Sequence, residues 1–406
     1  MKKEQKNSPN LRFKGFTEDW ELCKLGDLAN IVGGGTPNTN NPKCWDGNID
    51  WYAPAEIKEK IYVTGSKKRI TELGLQKSSA KVLPIGTVLF TSRAGIGNTA
   101  ILAKKGTTNQ GFQSIIPNKN KLDTYFIFSR THELKKYGEA VGAGSTFVEV
   151  SGKQMAKMPM LTPRFNEQQA IGMFFKKIDD IITLHQRELD QLKELKKAYL
   201  QVMFPVKDER VPRLRFAAFE DDWKLCKLGS ILEERNEQMA ENNEYYLMSF
   251  VQGKGVTPKG DRYDRSFLVK DEKKKYKKTE FGDFIYSSNN LERGSIGFNR
   301  TGKALISPVY SIFKSKNQLE SQFIGILSER KSFINRMTKF RQGVVYGQWR
   351  IHEADFLNVE VRIPSHMEQK GIIKFFSNLD NMIIVHQNKL NQLKALKKAY
   401  LQNMFI

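Results

Sequence analysis

Between Gln168 and Phe204 the apolar positions follow a helical beat. Seam residues fall at Ile178, Ile182, His185, Leu189, Leu192, Leu195 and Tyr199, mostly three or four residues apart. That is the period of a long helix burying one stripe against a partner helix. The stretch has no proline, and only Gly172 interrupts its helix-forming composition, while Pro163 stands ahead of it and Pro205 closes it. The pattern returns at Leu379, Ile383, His386, Leu390, Leu393, Leu396 and Tyr400, with Pro364 ahead. Two helices of equal length in one chain can serve as each other's coiled-coil partner. His185 and His386 hold equivalent seam positions, and a buried polar pair that fixes register is the expected role.

The rest of the chain changes period. Apolar or alternating runs at 82–92, 100–106, 282–288 and 304–314 lie between Gly, Pro and Asn punctuation and predict strands. Short helices are expected at 122–137 and 317–339. Two compact, loop-rich domains of mixed α and β result.

The chain is also written twice. Residues 9–28 match 212–231 at 12 of 20 positions, and 167–204 match 368–405 at 22 of 38 without a gap. RAGIG at 93–97 precedes RGSIG at 293–297 by 200, yet the middles are otherwise unlike. The segment Gly33-Gly34-Gly35-Thr36-Pro37 has no second counterpart. Duplication followed by plain drift is the simple alternative. Drift would not spare the helical ends so selectively, so two copies of one tool tuned to different targets is the better reading.

At 406 residues, 39% of them apolar, the chain can fill two or three domains. Its formal charge of +22 and pI near 9.6 call for a polyanionic partner, nucleic acid first and an anionic membrane second. The helical segment 166–204 is neutral and 367–406 carries +4, which leaves +18 for the domains 1–165 and 205–366. Phosphate neutralisation should therefore come from the domains. Basic runs such as Lys67-Lys68-Arg69 and Lys273-Lys274-Lys275 serve equally well as solvated faces. The polar N-terminus and the lack of an 18-residue apolar run give neither a secretory signal nor a membrane span. Three cysteines without a CxxC pair indicate a reduced, cytoplasmic protein, and five scattered histidines give no metal-ligand spacing.

A helix of about 27 residues from Ile178 is about 40 Å long. Half-sites read by paired domains lie about 34 Å apart, one turn of B-DNA. The helices can thus act as a ruler, or simply as a packing hairpin. Candidate base readers are loop residues: Gly34, Thr36, Asn38 and Asn40; Arg93; Asn109 and Gln110; Asn289, Asn290 and Arg293. Asn and Gln meet adenine edges with two hydrogen bonds and Arg meets guanine. Ser145, Thr146, Tyr346, Gln348 and Arg350 precede the final strand of each domain and are candidate phosphate or base contacts. Asn and Gly in loops also form turns, which is the plain reading of each taken singly.

Catalytic patterns are missing. The glycine groups make no GxxxxGK[ST] and no proper GxGxxG, and no DPPY-like tetrapeptide or GxSxG occurs. Glu56-Ile57-Lys58 resembles a nuclease fragment but lacks a preceding Pro-Asp.

With both copies of RFxxFxxDWxLCKLG (12–26 and 215–229), the GGGTP segment and the EQ…FFxxxD…HQ…LKKAYLQxMF helices, the chain resembles the specificity subunit of type I restriction–modification systems over essentially its whole length. The resemblance implies an α+β fold of two α/β target recognition domains, 1–164 and 206–365. Each is followed by a conserved spacer helix, 165–205 and 366–406, and the helices pack as an antiparallel coiled coil with pseudo-twofold symmetry. It also implies double-stranded DNA as ligand, two methyltransferase subunits using S-adenosylmethionine, and endonuclease/translocase subunits using ATP and Mg2+. A chain without catalysis of its own follows. A nucleic-acid-binding scaffold that assembles through its coiled coil is the alternative reading.

Overall fold

The computed structural model describes residues 7–57, 60–93, 95–142, 149–206, 209–251, 254–258, 275–291, 295–345 and 348–406. The chain forms two compact units, and neither coincides with one sequence repeat. The first comprises Met1–Gln186 with Asn388–Ile406, the second Arg187–Gln387. The cause is two continuous helices, Phe165–Val202 and His366–Met404. Each unit holds the opening half of one long helix and the closing turns of the other.

The first unit contains β1 (Glu21–Lys24), β2 (Ala29–Gly33), β3 (Trp45–Tyr52), β4 (Tyr62–Val63), β5 (Lys68–Ile70), β6 (Val88–Phe90), β7 (Thr99–Leu102), β8 (Thr107–Thr108), β9 (Gln113–Pro117) and β10 (Pro159–Thr162). A five-stranded sheet has the order β2-β9-β6-β7-β4, and a small sheet the order β5-β3-β8. β1 pairs antiparallel with β10, placing Cys23 opposite Met160 and closing the domain just before the long helix.

The second unit contains β11 (Lys224–Lys227), β12 (Leu232–Glu234), β13 (Gln238–Met239), β14 (Tyr246–Val251), β15 (Gly255–Pro258), β16 (Tyr276–Thr279), β17 (Phe284–Tyr286), β18 (Ile296–Phe298), β19 (Ala304–Ile306), β20 (Ser311–Ser315), β21 (Gln342–Val345), β22 (Gln348–Arg350) and β23 (Glu360–Ile363). Its sheet β12-β20-β17-β18 repeats the order β2-β9-β6-β7, and β11–β23 repeats β1–β10. What differs is the addition: here a five-stranded sheet β13-β16-β19-β14-β15, in the first unit β4 and the small sheet. The unlike middles of the sequence are these additions on a common sheet.

The expected strand at 304–314 is two strands, because Pro308 sits in a turn closed by the Tyr310 amide on the Ser307 carbonyl at 3.2 Å. The helix expected at 122–137 is likewise two, Thr124–Ser129 and Thr131–Gly142. That expected at 317–339 divides into Glu320–Leu327 and Lys331–Thr338.

In the first unit Phe174 meets Tyr400 edge-on at 4.9 Å and the Asp179 carboxylate meets the Lys397 ammonium at 2.6 Å. In the second, Phe375 meets Tyr199 at 4.8 Å and Asp380 meets Lys196 at 2.7 Å. The helix segments in each unit are therefore antiparallel. Leu189 and Leu390 are buried, while Ile182, His185, Leu192, Tyr199, Ile383, His386, Leu393 and Tyr400 are half-buried. The two histidines are half-buried rather than fully buried. Leu195 and Leu396 do not lie in the seam: they are 43% and 45% exposed. Lys196 and Lys397, one residue on, turn inward because acids on the facing segment receive their ammonium groups. A hydrophobicity count selects the leucine; the ion pair selects the lysine.

The same anchors hold each domain to its helices. Arg12 donates two bonds of 2.7 Å to the buried Glu167, and Arg215 two of 2.8 Å to Glu368. The Leu11 amide bonds the Asn403 carbonyl at 2.8 Å, and the Leu214 amide the Val202 carbonyl at 2.9 Å. Phe405 packs against Trp20, Phe126 and Phe175; Phe204 packs against Trp223, Phe323 and Phe376. Arg130 lies 5.6 Å over Phe405, as Arg330 does over Phe204.

Candidate functional site

The common sheet supports two loop regions in the first unit where sequence-predicted readers meet. Gly34 crosses the chain just past β8 so closely that a Cβ there would overlap the Asn109 carbonyl. The Gly35 amide donates to the Thr108 carbonyl at 2.9 Å, and its carbonyl accepts the buried Trp51 indole at 2.8 Å. The Thr36 hydroxyl donates to the Gln110 side-chain oxygen. The GGGTP segment is thus a backbone crossing that brings Gly34, Thr36, Asn109 and Gln110 together. Glycine is required there for packing rather than for a ligand.

Asn38 and Asn40 sit beyond this crossing on an exposed turn. The Asn38 side-chain oxygen accepts the Asn40 amide at 2.9 Å, and Asn41 does the same for Lys43 at 3.1 Å. Both oxygens serve as turn formers. Nearby, Trp45 meets Trp51 edge-on at 5.1 Å, and the Lys68 ammonium lies 5.5 Å from the Trp45 ring. Arg69 pairs with Asp50 at 3.5 Å. Glu56 accepts the Ala53 and Lys67 amides at 3.0 and 2.6 Å, so its carboxylate orders two turns.

Arg93 and Asn109 share a cleft of about 370 Å³ beside the Ala53–Ala55 turn, together with Asn98, which sequence reasoning missed. The available signal was local: after RAGIG comes Asn98, after RGSIG comes Phe298, a divergence directly behind a shared island. The Ser92 amide bonds the Gly111 carbonyl at 2.8 Å, the Asn98 amide the Thr91 hydroxyl at 2.9 Å, and the Asn109 amide the Tyr52 carbonyl at 3.0 Å. These bonds fix all three backbones. Burial pushes the Tyr52 hydroxyl up to about 12, so it remains neutral beneath this region.

In the second unit Asn289 is exposed after β17, and Arg350 is exposed 3.9 Å from Glu353. Ser145, Thr146, Arg293 and Tyr346 lie outside the described residues, as do Lys273 and Lys274 and the side chains of Asn290 and Gln348. Among the described residues no helix is long and apolar enough to cross a membrane.

The solved structure of the type I restriction–modification S subunit from M. genitalium superimposes with a TM-score of 0.66 at 13% identity, covering 98% of this chain and 99% of that one. The specificity subunit of the type I restriction enzyme MjaIX of Methanocaldococcus jannaschii is 27% identical over 95% of this chain and 93% of its own. That of EcoR124I/EcoR124II of Escherichia coli is 29% identical over 45% and 46%. The sequence profile of the type I restriction modification DNA specificity domain matches residues 17–194 and again 220–395. The two matches cover most of both domains and the greater part of each long helix, and the chain belongs to the type I restriction–modification DNA specificity family.

Proposed function

We propose that each of the two heads reads one half of a bipartite duplex site, and that the spacer helices set the unread gap between the halves. The observation that carries this reading is the contrast between anchors and heads. Arg12–Glu167 and Arg215–Glu368 are the same pair built twice, whereas the sheets added to the common core differ. Selection for two different targets on one frame accounts for both. The +18 charge of the domains supplies the phosphate attraction.

Chemistry belongs to partners in this reading. Two methyltransferase subunits, using S-adenosylmethionine, modify adenine where this chain places them; endonuclease/translocase subunits, using ATP and Mg2+, attack unmodified DNA. Two like seats are available on the helices: Ile181 and Leu184 in the first unit, and their repeat equivalents Met382 and Val385 in the second, are all exposed. The test is a domain exchange. The chain is coexpressed with its methyltransferase subunit, residues 30–160 are replaced by those of another family member, and methylated adenines are mapped genome-wide. One half of the site should change and the other should persist; a change in both, or in neither, defeats the two-reader scheme.

A further inference from the structure

Resting on that reading, we infer that Arg93, Asn98 and Asn109 form a pocket in the first head that reads one G·C pair of its half-site. The cleft has a definite chemical pattern. Its lining combines apolar residues, Ala53, Pro54 and Ala55, with Gly111, an arginine and two asparagines. Asn109 is oriented by its side-chain oxygen, which accepts the Gly111 amide at 2.8 Å, so its NH2 group is turned away from that bond. Asn98 is oriented the opposite way: its NH2 group donates to the Gly95 carbonyl at 3.2 Å, leaving the oxygen as the outward acceptor. A Cβ at residue 111 would stand 3.1 Å from both the Asn109 side-chain oxygen and Pro54 Cγ, and 3.6 Å from the Arg93 Nε. Glycine there lets the three groups converge.

Arg93 carries the argument furthest. In the same unit Arg12 pairs with Glu167, Arg69 with Asp50, Arg130 with Glu133 and Arg164 with Glu18. Arg93 is half-buried, yet among the described residues no carboxylate receives it. A partly desolvated cation without a partner is costly in the free protein and is relieved by an external acceptor. Guanine offers two acceptors, N7 and O6, at the spacing of a guanidinium fork, and its cytosine offers an N4 donor that the Asn98 oxygen can accept. A phosphate offers acceptors alone and has no use for that oxygen or for an apolar lining. The mixed pattern therefore selects a base-pair edge in the major groove.

Full-length Arg93→Ala and Asn98→Ala chains, each assembled with the methyltransferase subunit, provide the test. Two measurements are made: the map of methylated adenines, and binding to duplexes carrying each base pair at every position of the mapped site, across a salt series. Arg93→Ala should lower discrimination at one G·C position of one half-site by about ten- to a hundredfold, with the other half-site and the salt slope unchanged. Asn98→Ala should weaken the same position, and thermal unfolding of both variants should match the parent. Uniform weakening on all duplexes with a salt slope smaller by about one would make Arg93 a phosphate contact and overturn the inference. So would an unchanged map. Failure of the underlying reading has a different signature, since the parent chain itself would then show no bipartite preference.

Discussion

Arg12 and Glu167, 155 residues apart, meet in a two-pronged ion pair in which the carboxylate is only 2% exposed and the guanidinium 14%. The third prong of Arg12 holds the Glu18 carbonyl at 2.6 Å, which ties the lead-in segment to the first turn of the long helix. The hydrogen bond to Glu167 raises the pKa of Arg12, so the guanidinium stays charged. Removing one partner of such a pair leaves the other charged and buried, at a cost of about 3–5 kcal/mol. Glu167→Gln should thus destabilise the first unit by about 3 kcal/mol, and Glu368→Gln the second unit alike. Hydrogen exchange resolved along the chain checks this: protection should fall in the mutated unit and hold in the other.

Phe405 offers a sharper form of the same test. It belongs to the second repeat by sequence but packs on Trp20 and Phe126 of the first unit. Phe405→Ala should therefore lower protection of residues 7–186 and spare 209–387. Phe204→Ala should do the reverse, and more severely, because Phe204 is 1% exposed. Truncating a buried phenylalanine costs about 3–5 kcal/mol. If each substitution loosened the domain of its own repeat, the exchange of helix ends would be refuted.

These two predictions mark the boundary of what sequence makes legible. The long helices, the duplication and the α+β character follow from periodicity and self-comparison, because those signals are local or repeated. The exchange of ends does not: nothing in LKKAYLQxMF states which Trp its phenylalanine will meet, since the partner lies on another element. Lys196 in the seam is similarly hidden, its partners Asp380 and Glu329 being 184 and 133 positions away. In the candidate site, Arg93, Asn109, Thr36 and Gln110 are named by residue type and loop position. The Asn38 turn and the apolar lining at Pro54 depend on geometry that composition does not carry.

The seam lysine can be measured directly. Lys196 bridges Asp380 at 2.7 Å and Glu329 at 2.6 Å while only 14% exposed, and Arg300 joins the same two acids. A Lys196/Asp380 double-mutant cycle should give a coupling of about 1–3 kcal/mol, within the range for contacting networks. Leu195→Gln, one residue away but exposed, should change stability by less than about 0.5 kcal/mol. Equal effects at the two positions would return the seam to the leucine register.

Acid should affect the second unit through Glu280. The Tyr245 hydroxyl donates to its carboxylate at 2.7 Å, and with Lys278 and Arg235 holds its pKa below the usual 4.5. A carboxylate lowered on folding contributes stability that is present above its unfolded value and lost as pH falls through the folded one. Tyr245→Phe should then cost about 1 kcal/mol at pH 7, and the difference from the parent should shrink as the pH falls below the usual 4.5 through the lowered pKa. Asp283, which burial pushes the other way, is common to both proteins and cancels in the difference. Urea unfolding of both chains between pH 3 and 7 reads this out, and a pH-independent loss would assign Tyr245 to packing alone.

The two-seat scheme for methyltransferase subunits predicts a stoichiometry. Leu184 is 53% exposed and its equivalent Val385 is 64% exposed, so aspartate at either position leaves the helix cores untouched. A charge in the middle of an apolar contact costs more than most single interface residues contribute. Leu184→Asp should leave an assembly with one methyltransferase subunit, Val385→Asp likewise one, and the double variant none, while the chain itself remains folded. Native mass spectrometry counts the subunits. Full assembly of the double variant would place the seats elsewhere on the frame, and loss of both subunits from either single variant would mean that the two seats are one cooperative surface.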